Sequence, residues 1–278
     1  MTVKQLVDDL ITDNPMSIEI TRFRRRFMTF SVPNSVNTAV ALLVFALYAG
    51  LNLVVVNYAG DVDPQIVLFL QLFLFCVFAP SLLHGAVAGE RERRSWDLLL
   101  AAPVTKAQIV VGKFLGAMAA LAAFSAAMLL PLLIAGFSYR RFSPGGLMVG
   151  ELLTQSFAMM LCAFTLLISA RVRRPFVAMG IVVGTLALVL IVLPVLLSVV
   201  LGSDPIGNDF LLYLHPFMAL ARVSDTNFHP DGIASGFYGV PQIFVYLLLT
   251  GVFLAWTINT LTFAENDVRF LPKSAKDA

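Results

Sequence analysis

The chain has 278 residues, of which 59% are hydrophobic and only 13% carry a charged side chain. Soluble domains carry about 25% Asp, Glu, Lys and Arg, roughly twice the share found here. This composition excludes a disordered, fibrous or disulfide-rich protein and predicts a membrane protein with several spans. The net charge of +2 is too small to indicate a nucleic-acid partner.

Six apolar stretches are long enough to cross a membrane. A spanning helix needs about 20 apolar residues to cross a hydrocarbon core of about 30 Å. None of the six shows the alternation that is typical of membrane β-strands, so we expect an all-α fold. The predicted spans are 37–58, 65–88, 107–137, 147–170, 176–201 and 240–263.

Lys and Arg are unevenly distributed among the segments between the spans. Most of the 19 basic residues fall on one side, in 1–35, 89–113, 171–175 and 265–278. Cytoplasmic segments retain an excess of Lys and Arg. We therefore predict cytoplasmic N- and C-termini and a multi-pass protein of the cell inner (plasma) membrane.

These spans and charges predict three regions in the chain. The outer loop contains two apolar groups, which we predict to be short helices in the outer membrane interface, at 210–214 and 217–220. These helices either cover a translocation path or only anchor the loop in the interface. The predicted regions are a cytoplasmic segment at 1–35, a six-helix transmembrane domain at 36–264 with an outer loop at 202–239, and a cytoplasmic tail at 265–278.

A basic amphipathic helix is predicted before the first span. Apolar residues recur at every third or fourth position from 16 to 30, which places them on one helix face. Such a helix either lies in the membrane interface, with cations on anionic lipid headgroups, or only enforces the topology. The residues predicted to contact membrane lipids are Met16, Ile20, Phe23, Arg24, Arg25 and Phe27.

The loop 89–106 contains a short apolar helix between charged residues. Ser95 is a good N-cap, and Pro103 ends the helix because the residue before a proline avoids helical angles. Thr105 and Gln108 form a capping box that begins the third span. The apolar side chains of this loop must be covered, either by the protein's own helix ends and the membrane interface or by a cytoplasmic partner.

This loop resembles the signature of the ABC-2 family of ABC transporter permeases. In that family an acidic and basic stretch precedes a leucine-rich helix, a proline, a small hydroxyl residue and a Gly-Lys pair. The six spans and the preceding amphipathic helix are also similar, although Arg94-Ser95 replaces the more common Gly-Thr. The matching residues are Glu90-Arg91-Glu92-Arg93, Leu98-Leu99-Leu100, Pro103, Thr105 and Gly112-Lys113.

The resemblance implies the permease subunit of an exporter that works as a dimer with a second copy or a paralogue. The loop would then be a coupling helix that docks on a separate ATPase subunit, and 16–30 would be the family's connecting helix. The loop 171–175 would be either a second contact or a positive anchor. The residues implied in ATPase coupling are Glu90, Arg91, Glu92, Arg93, Ser95, Trp96, Asp97, Leu98, Leu99, Leu100 and Pro103.

The sequence contains no recognisable nucleotide site. A P-loop needs a glycine, four residues and then Gly-Lys-Ser/Thr, so that backbone N–H groups surround the phosphates. Gly112-Lys113 is instead followed by Phe114 and preceded at the first glycine position by Ala107. We expect a non-enzymatic chain without a cofactor, with ATP and magnesium bound by the partner. The alternatives are an ATP-independent carrier or channel and a membrane scaffold for a cytoplasmic partner.

Polar and small residues inside the spans suggest few sites. Cys76 and Cys162 are expected to be packing residues, and Lys113 and Glu151 are expected to extend to nearby helix ends. Glycine pairs spaced by four positions allow close helix packing, within this chain or between two copies. These pairs are Gly112–Gly116, Gly146–Gly150 and Gly180–Gly184.

Overall fold

The computed structural model describes five ranges of the chain and Gly50, and every regular element in them is helical. The expected all-α class is therefore confirmed for this part of the protein. The first predicted span at 37–58, apart from Gly50, and the amphipathic segment lie outside it. The described ranges are 64–92, 104–139, 144–201, 215–227 and 239–266.

The described ranges contain a series of α-helices, one of which continues into the next through a π-helical turn, Leu188–Val192. In chain order the helices are α1 (Pro64–Leu83), α2 (Ala88–Glu92), α3 (Lys106–Tyr139), α4 (Pro144–Arg171), α5 (Pro175–Ala187), α6 (Leu193–Leu201), α7 (Pro216–Asn227) and α8 (Val240–Asn266).

Five helical segments among the described residues are long and apolar enough to cross a membrane. They coincide with the second to sixth predicted spans, which are confirmed in that sense. The predicted orientation stays a prediction. The segments are Gln65–Glu92, Lys106–Leu130, Gly145–Arg171, Pro175–Leu196 and Val240–Leu261.

Helix α4 lies at the centre of the bundle, with α1, α3, α5, α7 and α8 packed around it. Of its membrane segment 67% is buried, compared with 11% for the segment that includes α5. Phe157 of α4 meets Tyr246 of α8 edge to face, with ring centroids 5.5 Å apart. Cys162 is buried in the same core as a free thiol and Cys76 is a half-buried free thiol, which confirms their expected packing role.

Pro194 interrupts the hydrogen-bond pattern between α5 and α6. Proline has no N–H to donate to Leu190, four residues earlier, and a π turn absorbs this break. Nε2 of His215 lies 3.0 Å from the Leu190 carbonyl oxygen. Nδ1 of His215 accepts the Met218 backbone N–H at 3.2 Å, so Nε2 carries the ring hydrogen and donates it. His215 thus replaces the missing donor and caps the start of α7.

The predicted short helix at 217–220 is confirmed as part of α7. It packs on the bundle rather than lying free of it, because Leu220 and Val223 are buried and Phe217 stacks on Phe69 of α1. Gly239, before α8, has a φ of +92°, and a Cβ there would lie 2.7 Å from Cγ2 of Val223. The other predicted helix of the outer loop, at 210–214, lies outside the described residues.

The surface of α5 and α6 is apolar and largely uncovered within the described chain. Phe176 is 86% exposed, and nothing lies within 4 Å of a Cβ built on Gly180 or Gly184. Gly146 and Gly150 are, in contrast, buried inside the bundle. In a membrane such a surface faces lipid, a second subunit or a segment of this chain outside the described residues.

Candidate functional site at the base of the 89–106 loop

The helix is interrupted by a turn between α1 and α2, and Ser169 of α4 stabilises this break. The backbone N–H groups of Val87 and Ala88 each donate to Ser169 Oγ at 3.1 Å. The Ser169 hydroxyl donates in turn to the His84 carbonyl oxygen at 2.8 Å. A hydroxyl has one hydrogen and two lone pairs, so all its capacity is used. Ser169 therefore fixes the start of α2 on α4.

A buried ion pair connects α2 to α3. Nζ of Lys113 lies 2.7 Å from Oε1 of Glu90, and the side chains are only 5% and 27% exposed. The expectation that Lys113 extends to the end of its helix is wrong, because the ammonium group finds a carboxylate inside the protein. Removing either partner would leave a charge in a site of low dielectric constant.

Arg91 connects α2 to the end of α4. Its Nη1 donates to the carbonyl oxygen of Ala170. The last carbonyl groups of a helix have no intrahelical donor, and a cation is favourable at this end of the helix dipole. We call Glu90, Arg91, Lys113 and Ser169 the loop clamp.

An apolar cluster lies beside the loop clamp and joins it to α8. It combines residues of the break after α1 and of α3, α4 and α8, with Val104 of the loop packed against it. Such packing resists displacement because interiors are as dense as organic crystals. The buried members are Val87, Ile109, Val110, Ala170 and Leu261.

The far end of the loop is fixed by the predicted capping box, which is confirmed. The Thr105 backbone N–H donates to Gln108 Oε1 at 2.9 Å, and the Gln108 backbone N–H donates to Thr105 Oγ1 at 3.2 Å. These bonds satisfy orphan donors at the start of α3. Both ends of the loop are therefore anchored to the bundle.

The structure places the predicted coupling residues in two groups. Glu90 and Arg91 make contacts within the chain, whereas Glu92 is exposed. The predicted interfacial residues before position 30 lie outside the described residues, and the docking role of the loop stays a prediction. The coupling residues that also lie outside are Arg93, Ser95, Trp96, Asp97, Leu98, Leu99, Leu100 and Pro103.

The positive segment 171–175 begins at the last residue of α4, Arg171, which contacts α8. The Arg171 guanidinium lies over the Trp256 ring of α8, with 4.3 Å between its central carbon and the ring centroid. This cation–π contact connects the ends of α4 and α8. Arg173 and Arg174 are exposed, which suits either an anchor or a second contact.

A second polar group, which the sequence did not predict, lies in the half of the bundle away from the loop. Glu151 does not extend to the helix end as expected: it is 9% exposed and hydrogen-bonded to Gln71 of α1. Ser125 of α3 and Gln155 of α4 complete this set. We call these four residues the buried polar cluster. The sequence shows that these four hydrogen-bonding side chains lie on apolar spans, which is a signal of a site. It does not show that they lie close together in space.

Comparison with known proteins places these features in a family. The model of the ABC-2 family transporter protein matches residues 9–274 of this chain. The chain belongs to the ABC-2 family. It is 28% identical over 211 residues to the probable ABC transporter permease protein NosY of Stutzerimonas stutzeri, covering 67% of this chain and 72% of that protein.

The family membership confirms the resemblance to ABC-2 permeases that the loop suggested, and it indicates that the helices lie in a membrane. This ABC-2 family protein is an integral membrane protein, consistent with its apolar helices. Permeases of this kind are transmembrane subunits of ABC transporters and are generally not enzymes themselves. The loop clamp is thus a structural connection inside a transport protein.

Proposed function

We propose that this protein is the permease subunit of an ATP-driven exporter and that separate ATPase subunits drive it through the loop 89–106. Two permease chains, identical or paralogous, form the translocation path. The ATPase subunits bind ATP and magnesium. Family membership supports the transporter role, and the observation that carries the coupling role is the loop clamp.

The loop clamp gives the loop a mechanical path into the bundle. Glu90 pulls on α3 through Lys113, and the start of α2 pulls on α4 through Ser169. Since α4 touches most of the described spans, a displacement of the loop moves them together. Rigid-body motion of packed helices between two states is a common form of switching.

The part of the loop between Glu92 and Pro103 supplies the contact with the ATPase. Trp96 and the leucines at 98–100 fill an apolar cleft, and the exposed Glu92 with Arg93 provides charge at its rim. An apolar centre with a polar rim is the usual anatomy of protein interfaces. Glu90 and Arg91 hold the loop in place instead.

The orientation follows from the same assignment. The loop and both termini lie on the cytoplasmic side of the inner membrane, where ATP is available. The helix at 16–30 lies along that membrane surface beside the ATPase, with Arg24 and Arg25 near anionic lipid headgroups. The excess of basic residues on this side supports the orientation.

A second permease chain covers the open surface of α5 and α6. Gly180 and Gly184 are exposed there and would allow close approach of another helix. A cysteine at Ile181, in a chain that lacks Cys76 and Cys162, should cross-link two permeases. If the protein is still a dimer but the cysteine at position 181 forms no cross-link, the interface between the two permeases lies elsewhere.

The docking assignment is tested by Leu99→Asp. We expect this chain to fold but to lose the co-purifying ATPase, since a charge cannot enter an apolar cleft without a partner. Leu99→Met is the matched control and should retain the ATPase, because it keeps an apolar side chain of similar volume. If the ATPase stays bound to Leu99→Asp, the coupling assignment is wrong.

The alternative functions are separated by two further measurements. Transport by vesicles that contain only this chain would favour an ATP-independent carrier or channel. Binding of a cytoplasmic partner without any ATP-dependent transport in reconstituted vesicles would favour a scaffold. The proposal requires transport only when both the ATPase and ATP are present.

A further inference from the structure

The buried polar cluster contains the carboxylate of Glu151, and the two side chains that donate to it also serve other oxygens. Nε2 of Gln71 lies 2.9 Å and 3.0 Å from the two carboxylate oxygens of Glu151. The same Nε2 is 3.0 Å from Ser125 Oγ. The Ser125 hydroxyl has one hydrogen, which it can donate either to Gln155 Oε1 at 2.8 Å or to the Glu151 carboxylate.

The cluster is short of hydrogens. One amide group with two hydrogens serves three acceptor atoms, two of them on Glu151. Oε1 of Gln71 is a further acceptor, and this side chain is fully buried, yet that oxygen has no hydrogen-bond partner. An ionised carboxylate has about four acceptor positions to satisfy. The acceptor oxygens around Glu151 therefore outnumber the hydrogens that Gln71 and Ser125 supply.

No cation compensates the carboxylate. Glu151 hydrogen-bonds to Gln71 and takes part in none of the ion pairs formed among the described residues. An unpaired charge in a membrane interior is strongly disfavoured, and the usual escape is neutralisation. The titratable side chains described on the helices that pack on α4, or directly beside their ends, are Cys76 of α1, His84 after it, Lys106 and Lys113 of α3, His215 before α7, Arg222 of α7 and Tyr246 of α8.

Two of these groups are held by partners of their own. Lys113 is paired with Glu90 and lies twelve residues before Ser125 on the same helix, about 18 Å along its axis. His84 bonds the carbonyl oxygens of its own helix end, at Pro80 and Ser81. Helix α5 (Pro175–Ala187) contains no ionisable side chain.

We propose that Glu151 is a proton-binding site. Its carboxyl group holds one proton while α1, α3 and α4 are packed together at this level. The proton neutralises the carboxylate and supplies a hydrogen that the cluster lacks. It comes from water and returns to water, and only an O–H bond is made or broken. Because Gln71, Ser125 and Glu151 belong to three helices, exchange requires these helices to separate.

Infrared spectroscopy of the purified permease in lipid nanodiscs at neutral pH tests this proposal. We expect a C=O stretching band of a protonated carboxylic acid that shifts when glutamate is labelled with carbon-13. The band should disappear in Glu151→Gln, which keeps the shape of the side chain. It should persist in Glu92→Gln, the matched control, because Glu92 is exposed.

The same preparation also tests the exchange. After transfer to heavy water the band should shift slowly, since its proton leaves only when the helices open. A wild-type protein without a protonated glutamate band would overturn the proposal, even if Glu151→Gln failed to fold. A band that survives in Glu151→Gln, or that exchanges at once in heavy water, would overturn it as well.

Discussion

The loop clamp and the buried polar cluster both hold polar groups against α4, yet they are completed differently. In the loop clamp the carboxylate of Glu90 has the ammonium of Lys113 at 2.7 Å, and Ser169 uses its whole hydrogen-bonding capacity. In the buried polar cluster Glu151 has one amide donor, a hydroxyl that it shares with Gln155, and no cation in an ion pair among the described residues. A complete set of partners holds a segment in one place. An incomplete set is suited to gaining and losing a ligand, here a proton.

Ser169→Ala should give the largest loss of stability. It leaves the N–H groups of Val87 and Ala88 and the carbonyl of His84 without their partner. Each orphaned buried group costs on the order of 1–3 kcal/mol, so a total above about 2 kcal/mol is expected. Thermal unfolding of the purified protein measures it.

Ser81→Ala is the matched control for this change. The Ser81 hydroxyl bonds only to the Val77 carbonyl of its own helix and is exposed. We expect its unfolding temperature to stay close to that of the unmodified protein. Equal effects of the two changes would show that Ser169 does not hold the start of α2.

Lys113→Met should give the next largest effect. It leaves Glu90 buried without its cation, at a cost of about 1–3 kcal/mol because Glu90 keeps some access to solvent. Adding Glu90→Gln should recover part of the loss, since the uncompensated charge is then gone. A double-mutant cycle measures this coupling, and additive effects would mean that the ion pair contributes nothing.

The same Lys113→Met chain also separates binding from coupling. Because the apolar part of the loop is unchanged, it should retain the ATPase. The permease-dependent change in ATP hydrolysis should be weaker, since the loop no longer pulls on α3. Full coupling in a folded Lys113→Met protein would remove the loop clamp from the proposed path.

Glu151→Gln should alter how stability depends on pH. An unfolded glutamate is ionised above about pH 4.3, so a folded protein with protonated Glu151 holds one more proton. Stability then falls as pH rises, by up to about 1.4 kcal/mol per pH unit, until Glu151 ionises in the folded state too. Melting curves across neutral pH should show this slope in the unmodified protein and a smaller one in Glu151→Gln. Identical slopes would contradict a bound proton.

Apart from the Ser81→Ala control, His215→Ala should have the smallest effect on stability, and it tests hydrogen bonds that involve no ion pair. It removes the donor to the Leu190 carbonyl and the cap of α7. The expected loss is about 1 kcal/mol, typical of a neutral hydrogen bond or a helix cap. Thermal unfolding should rank it below both changes in the loop clamp. If His215→Ala lost more stability than Lys113→Met, the hydrogen bonds of His215 would contribute more to the fold than the ion pair of the loop clamp.

Much of the fold was predictable because membrane spans depend on local composition. Five predicted spans coincide with helices, and the capping box at Thr105 and Gln108 forms as expected. These features depend on residues that are close in sequence. The family was recognisable for the same reason, since its motif is contained in the loop 89–106.

The tertiary polar contacts could not be predicted from one sequence. Gln71 and Glu151 are 80 positions apart in the sequence, and Val87 and Ser169 are 82 apart. Helical periodicity does not state which helices are neighbours. Lys113 and Glu151 were therefore both assigned to helix ends, where a single helix alone would place them, whereas neighbouring helices provide partners inside the bundle.

The central claim, that a separate ATPase drives this permease through the loop 89–106, is tested most directly by a photo-activated cross-linking residue at position 99. In native membranes we expect it to capture a protein that contains a P-loop, and the yield should change when ATP is added. Cross-links formed only within the permease chain or only to lipid, in a protein that folds normally, would contradict the claim.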